Sequence, residues 1–276
     1  MRMKENGYLA LKIFGIASLL LFVGMILIQY SPIQDDLKNK FRNISFLVFA
    51  FFALYGSYIF YKLKESISAR DKICLYFIFL GLFMFFVAES IWSFYVAILN
   101  IDPSLNLTLA DLFWLLGSLL LAYGFFKMQM LHTIYFSERM ILTITAAALI
   151  LAFILIFASN EINDIQTMVN SLYPVFDFVI AIQTSLIFYS FRKKNIFTSH
   201  YLILAAGFFI MFASDFLYYI ISSQLGESLI TSNIAVLSDF LYALSYIVIG
   251  LAFLTGIESH EFMNKFMDKL ISKELE

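Results

Sequence analysis

Cysteine is almost absent: Cys74 stands alone in 276 residues. One thiol excludes an intrachain disulfide and a thiolate metal cluster. Near the inner end of an apolar segment, Cys74 reads as a packed side chain. Charge is also scarce. Asp, Glu, Lys and Arg make up 14% of the chain, against 62% hydrophobic and 18% aromatic residues, which is not the composition of a soluble globular domain. The net charge is −2 with no basic patch, so nucleic acid is not an expected partner. Histidine is limited to His132, His200 and His260, whose spacing fits no metal motif. Without a histidine near them, Ser90, Ser93, Ser214 and Thr184 have no base to activate a nucleophile. There is no nucleotide-binding glycine motif. The seventh apolar segment has no lysine for a retinal Schiff base.

What the chain does have is long apolar runs. Eight can cross a hydrocarbon core of about 30 Å as helices of roughly 20 residues. They lie near 8–30, 44–63, 73–99, 106–127, 139–158, 171–191, 200–222 and 234–257. The expected fold is therefore all-α: a multi-pass cell-membrane protein of eight transmembrane helices, set in lipid bilayer, with a prokaryotic plasma membrane as its setting. Of the 18 Lys and Arg residues, only Lys38, Lys40 and Arg42 fall in outer loops if the N-terminus is cytoplasmic. This positive-inside bias places both termini in the cytoplasm. Met1–Tyr30 has a basic start, but its apolar run is long and no small-x-small site precedes Pro32, so it reads as an uncleaved first span.

The spans pair as two units of four. Gly81, Phe86, Glu89 and Trp92 match Gly207, Phe212, Asp215 and Tyr218 at an offset of 126. Ser104, Asp111 and Trp114 match Ser232, Asp239 and Tyr242 at an offset of 128. Between these, Asn43-x4-Val48-Phe49-x-Phe51 matches Asn170-x4-Val175-Phe176-x-Phe178. The expected division is 1–132 for the first four-helix repeat, 133–257 for the second, and 258–276 for a cytoplasmic amphipathic helix. An even number of spans in each repeat implies a pseudo-twofold axis along the membrane normal, as in parallel-repeat transporters. Asp177 has no acidic counterpart, since Ala50 stands at its partner position. Pro174 faces Leu47 and falls in the first turn of the sixth run, where a missing N–H is tolerated.

The repeated residues are acids inside apolar segments, where a carboxylate costs several kcal/mol and usually serves function. At about 1.5 Å of rise per residue, Glu89 and Asp215 reach the outer third of their spans. Asp111 and Asp239 each follow a candidate capping serine, Ser104 or Ser232, which puts them about 10 Å below the outer end. Asp177 lies at a similar level. Neighbours at i+3 and i+4 share a helix face, which adds Trp92, Ser93, Trp114, Tyr218, Tyr219 and Tyr242. The expected site is a single outward-facing layer that is acidic, aromatic and rich in hydroxyls. No basic side chain belongs to the runs at that depth. The acids thus need protons, a cation, or a basic group reaching in from the first loop. Shared protons between Glu89 and Asp111, and between Asp215 and Asp239, are the expected resting state. Oxygen ligands would suit Ca²⁺, Mg²⁺ or Mn²⁺ if a metal bound, although nothing in the sequence requires one. The alternative is structural: Asp111 and Asp239 as helix-end partners, and the Trp and Tyr residues as an interfacial belt.

Beyond the last run, Phe262, Met263, Phe266, Met267, Leu270 and Ile271 form a helical apolar stripe. It suits the inner membrane surface, a signalling partner, or a second copy of the chain. Pro103-Ser104 followed by Ala110-Asp111-Leu112-Phe113-Trp114-Leu115, after an acidic third helix, resembles a known kind of membrane region. So does the second copy, Leu237-Ser238-Asp239-Phe240-Leu241-Tyr242. Both are similar to the multi-span N-terminal input regions of archaeal and bacterial histidine kinases and cyclic-di-GMP enzymes. That resemblance implies a sensory role. As no kinase, cyclase or PAS-like domain follows in these residues, output is expected through a separate partner. The first expectation is a stand-alone sensory or ligand-binding module for a cation, proton or amine-bearing ligand. The others are a small cation- or proton-coupled transporter, and an intramembrane lipid-modifying enzyme using aspartates. Enzymatic chemistry is the least supported.

Overall fold

The computed structural model describes residues 2–63, 69–101, 107–132, 138–157, 165–191, 199–224 and 229–274. Among them the apolar runs form eight helices: α1 (Arg2–Gln29), α2 (Asp35–Leu63), α3 (Ala69–Ala97), α4 (Leu109–His132), α5 (Glu138–Phe157), α6 (Ile165–Phe191), α7 (Ser199–Gln224) and α8 (Leu229–Glu274). Seven of these, all but α5, contain segments long and apolar enough to cross a membrane, which makes the chain a multi-pass membrane protein. The lipid-facing surface is apolar in the manner a bilayer requires. On α1, Ile16, Leu20 and Leu27 are each more than 60% exposed, an arrangement water would penalise and acyl chains would not.

Several helices start earlier than their apolar runs. α2 begins at Asp35, with Asp35 and Asp36 in its first turn, where the N-terminal dipole favours acids. Lys38, Lys40 and Arg42 are therefore helical residues of α2 and not part of a loop. α6 begins at Ile165, which puts Pro174 inside the helix and not in its first turn. Pro174 has no N–H to give, so the carbonyl of Asn170 loses its usual i+4 partner. α8 begins at Leu229, which makes Ser232 its fourth residue and not its cap. Ser104 lies outside the described residues. The backbone of the expected amphipathic helix is continuous with the last span, as α8 runs unbroken to Glu274. Side chains beyond Ser259, and with them the stripe, lie outside the described residues.

Sequential helices pack as α1–α2, α2–α3 and α3–α4, and again as α5–α6, α6–α7 and α7–α8. The two sets meet through α2–α8 and α4–α6, with α1–α8 and α4–α5 at the flanks. Each of these pairings has a counterpart four helices along the chain. Small residues allow the closest approaches. A Cβ added to Gly81 would lie 2.9 Å from the Gly117 carbonyl oxygen and 3.0 Å from the Leu121 nitrogen on α4. One added to Gly207 would lie 2.7 Å from Ile249 and 3.4 Å from the Ser245 carbonyl oxygen on α8. Such contacts are how membrane helices associate without a hydrophobic drive between them. A core of buried rings, including Phe52, Phe125, Phe208 and Phe253, lies within the bundle beside these contacts. Cys74 is buried within the same core.

Candidate functional site

The helix ends opposite the start of α1 surround a cavity of about 150 Å³. The α3–α4 and α7–α8 contacts at Gly81 and Gly207 set its walls, since Glu89 and Asp215 stand two turns further along α3 and α7. Glu89, Asp111, Asp177, Asp215 and Asp239 all line it, one each from α3, α4, α6, α7 and α8. Trp92, Trp114, Tyr218 and Tyr242 line it as well. Two expected members do not. Ser93 turns to α2 and donates to the Asn43 carbonyl at 3.0 Å. Tyr219 is buried with Val175 in a separate small core that Leu149 and Phe178 flank. Both are i+4 neighbours of an acid, and the curvature of the helix carries them past the cavity edge onto an adjoining helix.

The carboxyls are held in different ways. Glu89 is 1% exposed, and its Oε1 accepts hydrogen bonds from Tyr242 (2.6 Å), Tyr246 (3.0 Å) and the Trp114 indole (3.3 Å). It thereby ties α3 to α4 and α8. Asp111 sits in the first turn of α4. Its Oδ2 accepts the Thr108 N–H at 2.6 Å and the Thr108 hydroxyl at 2.8 Å. Its Oδ1 accepts the Tyr173 hydroxyl at 2.7 Å. Thr108 thus stands at the cap position of α4, and Asp111 completes a capping-box arrangement. Asp239 accepts a hydrogen bond from Arg42 at 2.5 Å, and Arg42 also donates to Asn39 at 2.7 Å. The basic group at this level therefore comes from α2, within helix and not from a loop.

Asp177 and Asp215 remain. Their side chains face each other as direct neighbours, one from α6 and one from α7. Asp177 is 2% exposed, and among the described residues its Oδ2 has no hydrogen-bond partner. The expected pairs are thus rearranged. Glu89 and Asp111 are not partnered with each other but with tyrosines and a helix end. Asp215 faces Asp177, while Asp239 is taken by Arg42. The reason is depth: Asp111 completes the cap of its helix, and Arg42 reaches one acid and not the rest.

Tyr173, Tyr246, Arg42 and Asn170 belong to the site but are not part of the expected set. Tyr173 and Asn170 precede Pro174 on α6, and periodicity from Asp177 (i−4) would have found Tyr173. Tyr246 is i+4 from Tyr242. Aromatic rings form an angled wall: Trp92 and Trp114 have centroids 5.3 Å apart at 55°, and Trp114 and Tyr173 6.2 Å apart at 81°. Ser214 and Ser238 lock α7 to α8 by bonding one another's carbonyls at 2.8 and 2.9 Å. Ser90 and Thr184 bond carbonyls of their own helices, so none of these hydroxyls is arranged as a nucleophile. His200 packs against Phe60 towards the other end of the bundle. Side chains of His132 and His260 lie outside the described residues. Among the described residues no three or more His, Cys, Asp or Glu are grouped to hold a metal ion. The acids meet singly or as a pair, and not as a convergent ligand set.

No protein-family model, curated protein or solved structure matches this chain.

Proposed function

We propose that the chain is a sensory, ligand-binding module of the cell membrane, whose cavity opens outward and receives a small cation or amine-bearing ligand. The observation that carries this reading is that five carboxyls from five helices line one cavity, and the arginine beside them, Arg42, is already paired with Asp239. Such a grouping at membrane depth is costly unless positive charge or protons enter it. Outward opening is supported by charge: Lys and Arg concentrate at the other end of the bundle. α5 is uncharged from Met140 to Phe157 and long enough to span with neighbours. Eight crossings would return the C-terminus to the cytoplasm. The paired helix contacts and the matched glycines at 81 and 207 support duplication of a four-helix unit over 1–132 and 133–257.

Signal output would run through α8. It carries Asp239, Tyr242 and Tyr246 at the cavity and continues without a break to Glu274. A ligand that shifts α8 at the cavity would move the segment 258–274, where a signalling partner or second copy would read the movement. Transport is less well supported, because the described core beyond the cavity is a packed cluster of apolar and aromatic side chains.

The test uses full-length protein in liposomes, with Cys74→Ser and an environment-sensitive fluorophore at Ser272→Cys. Sensing predicts a saturable fluorescence change when a small amine or metal chloride is added outside, without its accumulation inside. Accumulation of the cation would move the reading to transport. Release of a lipid product would move it to enzymatic chemistry.

A further inference from the structure

The carboxyls at the cavity are unequal in what they still lack, and this deepens the cation-binding reading on which it rests. Glu89 has three donors, Asp111 has Thr108 and Tyr173, and Asp239 has Arg42. Asp177 and Asp215 neighbour each other, and among the described residues Asp177 presents a buried Oδ2 with no donor. Asn170, about two turns before Asp177 on α6, also lines the cavity. One side of the cavity is therefore short of donors and of positive charge. A wall of indole and phenol rings, with Tyr173 one turn from Asp177, lines the same cavity.

We infer that Asp177 and Asp215 anchor the ammonium group of a small monoamine whose apolar body lies against Trp92, Trp114 and Tyr173. A primary ammonium offers three N–H donors and no acceptor. It can donate to both carboxyls together while supplying the missing charge. A divalent metal would need six or more oxygens, and the described residues hold no such set. A quaternary ammonium suits aromatic walls, but without N–H groups it leaves Asp177 unsatisfied. The cavity of about 150 Å³ is in the class that holds a benzene-sized guest, which sets the bulk of the body.

The test is calorimetric titration of the purified full-length protein in nanodiscs. The probes are benzylamine, butylamine, benzyl alcohol, tetramethylammonium, and the chlorides of sodium, potassium and calcium. Saturable binding of the two primary amines is expected, with benzyl alcohol and tetramethylammonium at least about tenfold weaker, as befits loss of charge-assisted hydrogen bonds. Asp177→Asn and Asp215→Asn should each weaken amine binding by about tenfold or more, while Ser93→Ala, outside the cavity, should not change it. If Asp177→Asn fails to fold, Asp215→Asn against Asp215→Glu decides, with loss expected in the first and retention in the second. Amine binding that survives both Asn substitutions overturns the anchor. Binding of an inorganic cation but no amine overturns the amine class and leaves the wider cation reading standing. Binding of none of the probes removes both.

Discussion

Glu89 shows how a buried carboxyl can be structural and still line a site. Its Oε1 gathers three donors from two other helices. Glu89→Ala would strand the Trp114 indole N–H and one tyrosine O–H, since the Tyr242 and Tyr246 hydroxyls also bond each other at 3.0 Å, at about 1–3 kcal/mol for each group left unsatisfied. Glu89→Gln keeps an acceptor oxygen. Thermal unfolding in detergent should therefore place Glu89→Ala well below Glu89→Gln, and equal melting temperatures would show that these bonds do not matter. Asp111 is likewise structural, as the capping-box partner of Thr108. Asp111→Ala should cost about 0.5–2 kcal/mol and speed hydrogen exchange at the first amides of α4. The Arg42–Asp239 pair is only partly buried, with side chains 27% and 28% exposed. A double-mutant cycle on Arg42→Ala and Asp239→Ala should give a favourable coupling of about 0.5–3 kcal/mol. A coupling near zero would mark the pair as incidental. At this scale the acids were legible in the sequence, because charge in an apolar run is conspicuous. Their partners were not. Arg42 looked like a loop residue because apolar content, which locates a span, does not reveal that a helix starts nine residues earlier with Asp35. Ser93 and Tyr219 looked like site residues because i+4 spacing spreads neighbours over a wide arc, which here crosses onto another helix.

Among the elements, the tightest contacts involve glycines at matched positions, but the two are not equally strict. Gly81 faces backbone atoms of Gly117 and Leu121 at 2.9 and 3.0 Å, which cannot yield without moving α4. Both glycines meet a side-chain atom first, Leu121 Cγ at 2.6 Å for Gly81 and Ile249 Cγ1 at 2.7 Å for Gly207, but Gly207 meets backbone only from 3.2 Å. Gly81→Ala should therefore destabilise more than Gly207→Ala, within the roughly 1–3 kcal/mol typical of overpacking. Gly24→Ala, whose nearest neighbour is 3.9 Å away, should be neutral. Melting temperatures of the three variants check the order. Because Gly81 lies two turns from Glu89, Gly81→Ala should also shift the cavity wall. Helix existence was legible from the apolar runs. Helix ends were less so: α2, α6 and α8 all begin in polar stretches that a hydropathy pattern passes over, and capping by Thr108 depends on where Asp111 points.

For the whole molecule, the arrangement of helices makes a topological prediction. With eight crossings, cysteines placed at Ser104 and Asn195 in a Cys74→Ser background should react with an impermeant maleimide from outside and inside respectively, and Ser272→Cys from inside. If α5 does not cross, Asn195 and Ser272 change sides together while Ser104 does not. The order of helix contacts, in which α2–α8 answers α4–α6, gives the proposed duplication a physical meaning. Each unit alone leaves one flank of its α2 or α6 uncovered, and the other unit covers it. The cavity then forms where the two units meet, so acids from both halves line it.

Composition, charge bias and the spacing of Glu89, Asp111, Asp215 and Asp239 were enough to establish a membrane bundle with acids near one level. Those properties depend on each residue's own transfer cost and on helical rise, which are local. Which acid keeps a donor, which is neutralised and which is left wanting was decided only by tertiary structure. Hydrogen bonds and ion pairs are short-ranged, and they depend on how six helices turn their faces towards one another.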